Sequence, residues 1–315
     1  MAAGRRGDRA GRVGGPDDRP RGAAARPPVC AVLLAAGEGR RLRPLTEHLP
    51  KALCPVGNVA LLDRALARVA GLGLTGPHDV AVNACHLADQ VVRRVGARAR
   101  LSVEPGPPLG TAGGLARLRD WTADRGVLVG NADGYLADPA RPPGADIAAL
   151  LDGWDGRTVR LLGVPVPDPD DPGEFSGHRF AGFSLLPARY VHRLPADEPN
   201  LVRAVWRPAE AAGELEIVPF AGTYLDTGTP ADYLAANLHA AGGANLIDPT
   251  ATVTGACAQA VVGPSAVVHG TVERAVVWPG ELVDPAERLR SAVRFGGGRT
   301  LPVATRTGRR PAGTA

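Results

Sequence analysis

From Val29 to Ala36 the chain reads VCAVLLAA, apolar throughout, and then turns to glycine. An unbroken apolar run of this length predicts a strand buried on both faces, as in a parallel sheet, feeding a loop. Leu61, Leu62, Ala65, Leu66 and Val69 recur at helical spacing, so a helix follows and closes near Gly71. The alternation continues with a strand over Asp79 to Ala84, a helix over Leu87 to Val95 and a short strand over Leu101 to Glu104. A glycine-rich segment then becomes a helix over Gly110 to Trp121, and a buried strand over Val127 to Gly130 runs into the polar NADG. Further strands are predicted over Val159 to Val166, Phe180 to Leu186 and Leu215 to Phe220. Pro230 suits the first turn of a last helix, which Gly242 and Gly243 end. Alternating strand and helix indicate an α/β fold with a largely parallel sheet.

After Gly243 the pattern changes to small and β-branched residues punctuated by Gly and Pro. Ile247 and Val253 are six apart, as are Val262 and Val268, and Val277, Val283 and Leu289 continue the step. A six-residue apolar repeat predicts a β-helix, one inward residue per side of each coil. Residues 244–292 allow two or three coils, too few to stand alone, so this segment is expected to pack on the first domain (29–243) or on another subunit. Residues 1–28 have no apolar segment and read as a disordered tail, or as a start codon placed too early. Residues 293–315 read as a tail whose end is disordered.

Composition narrows the function. Among 315 residues, 44 % are apolar and 22 % charged, ordinary for a soluble globular protein. A net charge of +4 with 4 % aromatics and no basic stripe argues against nucleic-acid binding. No apolar run reaches membrane-spanning length. Cys30, Cys54, Cys85 and Cys257 form no C-x-x-C pair, so neither a zinc site nor a disulfide framework is indicated, and a reduced, cytoplasmic setting fits. Of the 36 cationic Lys and Arg residues, Lys51 alone is lysine. Lysine is a compact charge that can follow a moving phosphoryl oxygen, whereas arginine is a broad planar fork.

Lys51 ends a distinctive string. Gly37 and Gly39 follow the first strand, where backbone N–H groups can close around a phosphate. Arg40, Arg41 and Arg43 come next. The string is neither a G-x-G-x-x-G fingerprint, since Leu42 holds the sixth position, nor a Walker loop, since Lys51 is misplaced for one. Gly37, Gly39, Arg41, Leu42, Pro44, Leu45, Thr46, Pro50 and Lys51 together resemble the signature of the sugar-1-phosphate nucleotidyltransferases. Further stretches resemble that family in order: Val82-Asn83 with His86-Leu87, Leu109 to Gly114 (LGTAGG), Asn131-Ala132-Asp133, Phe180 to Phe183, and Leu225 to Pro230 (LDTGTP).

The resemblance implies a Rossmann-like mixed, mostly parallel sheet followed by a short left-handed β-helix of hexapeptide repeats. It implies transfer of a nucleotidyl group from an NTP to a sugar 1-phosphate, with Mg²⁺ as cofactor. Arg41 and Lys51 would be catalytic. Leu34, Ala35, Ala36, Gly37, Gly39, Gly110, Thr111, Ala112 and Gly113 would bind the nucleotide, and Asp133 and Asp226 the metal. Asn83, Gly182 and Arg179 would serve the sugar phosphate. The β-helix offers a surface for a homo-oligomer. By themselves, Asp133 could cap a turn, Asp226 could cap the helix at Pro230, Asn83 could orient the ligand loop, and Arg40 and Arg43 could be surface charge. The family's Glu-Lys-Pro element is missing, so its second lysine is replaced by another group, with Arg160 and Arg179 as candidates. The similar N-acetylmuramate-1-phosphate uridylyltransferases also lack that lysine, and mannose 1-phosphate with GTP is common for chains of this layout. A catalytically silent homologue that binds nucleotide sugar and regulates a partner is the alternative reading.

Overall fold

The computed structural model describes residues 27–168, 171, 173–195 and 198–304. Of the tails expected over 1–28 and 293–315, residues 1–26 and 305–315 lie outside the described residues. Besides a short antiparallel pair at Pro55–Val56 and Val59–Ala60, the first domain holds the strands β1 (Val29–Leu34), β2 (Val80–Ala84), β3 (Arg100–Val103), β4 (Gly126–Asn131), β5 (Gly134–Ala137), β6 (Val159–Pro165), β7 (His178–Leu186), β8 (Leu215–Pro219) and β9 (Thr223–Asp226). Seven form one sheet in the order β8-β6-β7-β4-β1-β2-β3. All neighbours are parallel except β7, which runs antiparallel to β4 and β6. The mixed, mostly parallel sheet matches expectation. All six residues of β1 are buried, because apolar clusters cover both of its faces.

Helices α1 (Leu61–Gly71), α2 (Ala88–Val95), α3 (Gly110–Ala116) and α4 (Pro230–Ala240) fall where the pattern places them, although α3 stops at Ala116 and a separate turn follows. The pattern gives no sign of β5 and β9, which pair as an antiparallel ribbon outside the main sheet. Each is only four residues long and lies next to turn residues, Ala132 and Asp133 before β5 and Thr227 and Gly228 after β9.

Close packing appears at Gly126 on β4, where an added Cβ would lie 2.2 Å from the ring of Trp154. That ring is 3 % exposed, and its Nε1 donates to the carbonyl of Thr158 at 2.8 Å. Gly126→Ala is therefore expected to destabilise the fold by about 1–3 kcal/mol, read as a lower Tm in calorimetry. An unchanged Tm would contradict this packing.

The C-terminal segment forms three parallel sheets, the three sides of a coiled prism. The six-residue step joins the first two sides in each coil and, from Val283 to Leu289, the second and third sides of the last coil, which repeats after 17 residues, while the first two coils are shorter. Leu246 pairs with Val261, and Val261 with Val276, a repeat of 15 residues, where three six-residue sides would need about 18. The expected end at residue 292 is corrected outward: Ala292–Phe295 joins the first sheet, and Arg299–Pro302 folds back antiparallel on it. The prism packs on the first domain. Val261, Val276, Trp278, Val293 and Phe295 share a core with Leu42, Leu45, Cys54 and Val56 of the Lys51 loop and with Tyr233 of α4. Trp278 Nε1 donates to Tyr233 Oη at 2.9 Å.

Candidate active site

The site lies at the carboxyl ends of the parallel strands. Leu34 at the end of β1 is flanked by Asn83 on β2 and Asn131 on β4, so the loops after these strands emerge side by side. Open α/β sheets bind ligands at this edge. The residues after β1 arch over it. Gly39 has φ +62°, and an added Cβ would meet Thr46 Cγ2 at 2.9 Å and Lys51 Cβ at 3.1 Å. Thr46 Oγ1 donates to the Gly39 carbonyl at 2.9 Å, and His86 Nε2 lies 2.9 Å from the Thr46 carbonyl. Gly39 thus allows the loop to fold back on its own lysine, and His86 is a strut. A Cβ at Gly37 would meet nothing within 4 Å, so no protein neighbour demands that glycine.

Lys51 sits at the centre. Its side chain is 7 % exposed, and its Nζ lies 3.0 Å from Asp133 Oδ2 and 3.1 Å from Asp226 Oδ1. Burial pulls the ammonium pKa down, but the two carboxylates outweigh it, and the net shift is upward. Burial likewise opposes the Asp226 carboxylate, yet Lys51 first and Arg41 second hold its pKa below the ordinary value. Arg41 Nη2 is 3.2 Å from Asp226 Oδ2, with the rest of the guanidinium open to solvent. Arg41, Lys51, Asp133 and Asp226, chosen from the sequence, therefore form one cluster.

The route by which the aspartates meet is new. They do not end two strands of one sheet. Asp226 closes β9 opposite Gly134, next to Asp133, so the ribbon brings them together. Thr227, fully buried, locks the turn by donating to the Asp133 carbonyl at 2.7 Å. Gly228 leaves room for Arg41, since a Cβ there would lie 2.8 Å from Arg41 Nη2. The capping role weighed for Asp226 belongs to Thr229, whose hydroxyl accepts from the Asp232 N–H at 3.2 Å.

Asn83 is corrected from a sugar-phosphate contact to a positioning residue. It is 2 % exposed; its Oδ1 accepts from the Ala35 N–H at 2.7 Å, and its Nδ2 donates to Glu104 Oε1 at 2.8 Å. Glu104 Oε2 accepts from the Leu109 N–H at 2.8 Å. The pair ties the loop after β1 to the loop opening α3. Gly114 makes room, since a Cβ there would lie 2.5 Å from Asn83 Nδ2. Glu104 was not among the sequence candidates. It ends an exposed-looking strand, and only its burial reveals the role.

Gly110 has φ +78°, and its missing side chain allows the Pro199 carbonyl to approach. Ala112 N donates to that carbonyl at 3.1 Å, and the Thr111 hydroxyl accepts from Leu201 N at 3.0 Å. Ala112 and Gly113 are buried in α3, and Ala35 and Ala36 are buried in the first loop. Gly182 has φ +79° and lies against the Tyr224 ring. Of the remaining cations, Arg40 and Arg43 pair with Glu38 at the surface. Arg160 is excluded as a phosphate anchor: Nε bonds Glu216 at 2.7 Å, and Nη1 bonds the carbonyls of Leu150 and Asp152. Arg179 is paired with Asp171 at 2.8 Å on the exposed start of β7. Beside the strand ends opens a cavity of about 350 Å³, with Thr111, Asn131, Phe180, Ser184, Trp206 and Arg207 on its wall.

The chain is similar to several known nucleotidyltransferases. Residues 31–142 match the model of the MobA-like NTP transferase domain. The chain is 27 % identical over 238 residues to the N-acetylmuramate alpha-1-phosphate uridylyltransferase of Caulobacter vibrioides, covering 66 % of this chain and 96 % of that protein. It is 29 % identical over 240 residues to the mannose-1-phosphate guanylyltransferase of Mycobacterium tuberculosis, covering 65 % of this chain and 63 % of that one. A solved structure described as a glucose-1-phosphate thymidylyltransferase from Bacillus anthracis shares the fold, with a TM-score of 0.55 at 20 % identity over 67 % of this chain and 95 % of its own. The family resemblance of the chain is to the sugar-1-phosphate nucleotidyltransferases. These relatives differ from one another in both base and sugar. Among the described residues, no helix is long and apolar enough to cross a membrane.

Proposed function

We propose that this chain transfers a nucleotidyl group from an NTP to a sugar 1-phosphate and releases pyrophosphate. The observation that carries the reading is the Lys51 ammonium held between Asp133 and Asp226 at the carboxyl edge of the sheet. The reaction is a displacement at the α-phosphorus: a sugar-phosphate oxygen attacks, and the bond to the bridging oxygen of the leaving pyrophosphate breaks. Such transfer needs positioning and charge neutralisation, and no covalent residue. The loop from Ala35 to Gly39 and Arg41 would hold the triphosphate, while Lys51 neutralises charge building at the α-phosphate. Lysine suits this role because its buried stem fixes the ammonium, while the carboxylates keep it protonated.

The donor set also fits Mg²⁺. Asp133 and Asp226 present hard carboxylate oxygens, and their side chains are 33 % and 50 % exposed, so solvent and ligand can reach them. When bound, the ion would draw charge from the phosphate oxygens. Glucose, mannose and N-acetylmuramate appear among the relatives, with thymidylyl, guanylyl and uridylyl donors. Purified protein with Mg²⁺ is offered each NTP and dTTP against hexose and N-acetylhexosamine 1-phosphates, and pyrophosphate is followed. Release with one pair is the expected result. No release, with NTP or NDP-sugar still binding by calorimetry, would overturn the enzyme reading in favour of a regulatory homologue.

A further inference from the structure

Three buried side-chain polar atoms among the described residues have no hydrogen-bond partner, and two of them, Ser184 Oγ and Trp206 Nε1, belong to residues that line the cavity beside the site. Ser184 is fully buried and Trp206 is 6 % exposed. A buried donor without a partner costs folding free energy, so native proteins keep few of them. Two on the wall of one cavity call for a ligand explanation.

Local structure accounts for each. Ser184 lies on β7, flanked across the sheet by Val129 and Leu161, which offer its hydroxyl only hydrocarbon side chains. Trp206 ends a π turn, Val202–Trp206, a rare form that re-aims side chains and recurs at functional sites. Phe180 packs on its indole at a centroid distance of 4.5 Å, and Phe175 meets it edge-on at 6.0 Å. The indole is therefore held rigidly while its N–H stays unused.

The chemistry of the wall selects a ligand class. An indole N–H can only donate, so the ligand must bring an acceptor oxygen. Glu174 is engaged by the Phe180 N–H at 3.0 Å. The cation on the wall, Arg207, is engaged by Glu210 and the Glu174 carbonyl and lies over the Phe175 ring. The deep wall thus offers neutral donors and aromatic surface, which suit the hydroxyls and C–H faces of a sugar. Its volume of about 350 Å³ lies within the usual range for small-ligand pockets.

Resting on the function proposed above, we infer that Ser184 Oγ and Trp206 Nε1 are the specificity-determining donors for the sugar, each bonding an uncharged hydroxyl or amide-carbonyl oxygen of the ring.

The test uses the full chain, with the NTP and sugar 1-phosphate pair that the wild type turns over. Ser184→Ala and Trp206→Phe are each expected to raise KM for the sugar 1-phosphate about 5- to 10-fold, with KM for the NTP unchanged. Without substrate, the Tm of Ser184→Ala should hold or rise, because the removed hydroxyl has no partner to lose. A monodeoxy analogue lacking the contacted hydroxyl should bind wild type more weakly but the matching variant no worse than the parent sugar. An unchanged sugar KM in both variants would overturn the inference, as would equal changes in both substrates' KM. Wild type that turns over no pair at all would defeat the underlying reading instead, and this inference with it.

Discussion

Lys51→Arg is expected to lower kcat by about 100-fold or more, although charge is conserved. The ammonium is a point that meets Asp133 and Asp226 at 3.0 and 3.1 Å from a stem that is nearly enclosed. Gly39 crowds the base of that stem, and Cys54 beside it is fully buried, its thiol pushed up to about 12 by that burial. A guanidinium is wider and needs its plane aligned with a carboxylate. It can reach one aspartate in plane, but it cannot place a single compact charge between two. Lys51→Met should lose about as much activity or more, and also exposes the pH linkage. Asp226 has a depressed folded pKa, so its contribution to stability is present above its unfolded pKa and is lost as pH falls through the lower folded value. Lys51, with a raised pKa, contributes below its unfolded value and loses that contribution as pH rises through the folded one. In Lys51→Met the main charge holding Asp226 ionised is gone while burial remains, so its pKa should rise. The acid limb of Tm against pH should then begin at higher pH than in wild type. Full turnover by Lys51→Arg, or an unshifted acid limb in Lys51→Met, would remove lysine from its central place.

The cluster was largely legible because its members lie in strings whose chemistry is local. Glycines after a buried strand, a lone lysine in an arginine-rich chain and an aspartate after an apolar run each carry a signal in their neighbours. What joins them was not legible. Asp133 and Asp226 meet through two four-residue strands, and Thr227 fastens the turn through a single hydroxyl. Neither feature leaves a period in the sequence. The β-helix shows the same limit: the six-residue step is real on the sides carrying Val262 and Val268, but tighter corners shorten the first two coils to 15 residues and leave the last at 17. Trp206 falls between two predicted strands in a stretch assigned to no element, and only the π turn and its unpaired N–H set it apart.

Glu104→Gln is expected to be strongly disruptive despite its near-identical shape, and Asn83→Asp should rescue it. The reasoning follows the protons. The Ala35 N–H can only donate, which fixes the oxygen of the Asn83 amide toward it and turns Nδ2 toward Glu104. The Leu109 N–H also only donates, so Glu104 must accept on both oxygens. Glu104→Gln converts one of those acceptors into a donor facing another donor, in a site where Asn83 is 2 % and Glu104 4 % exposed. Leaving such groups unpaired should cost about 1–3 kcal/mol. Asn83→Asp alone sets two carboxylates face to face across a 2.8 Å contact, a cost of similar or greater size. Each single change should also slacken both ligand loops together and raise KM for the NTP. In the double variant Asn83→Asp/Glu104→Gln the pattern is restored with its polarity reversed. The new carboxylate accepts from Ala35 and from the new amide, whose oxygen still accepts from Leu109. Tm and NTP KM should return most of the way to wild type, a coupling that a purely packing role for these residues would not produce. A double variant no better than the worse single one would show that the two loops are held by something other than this pair of side chains.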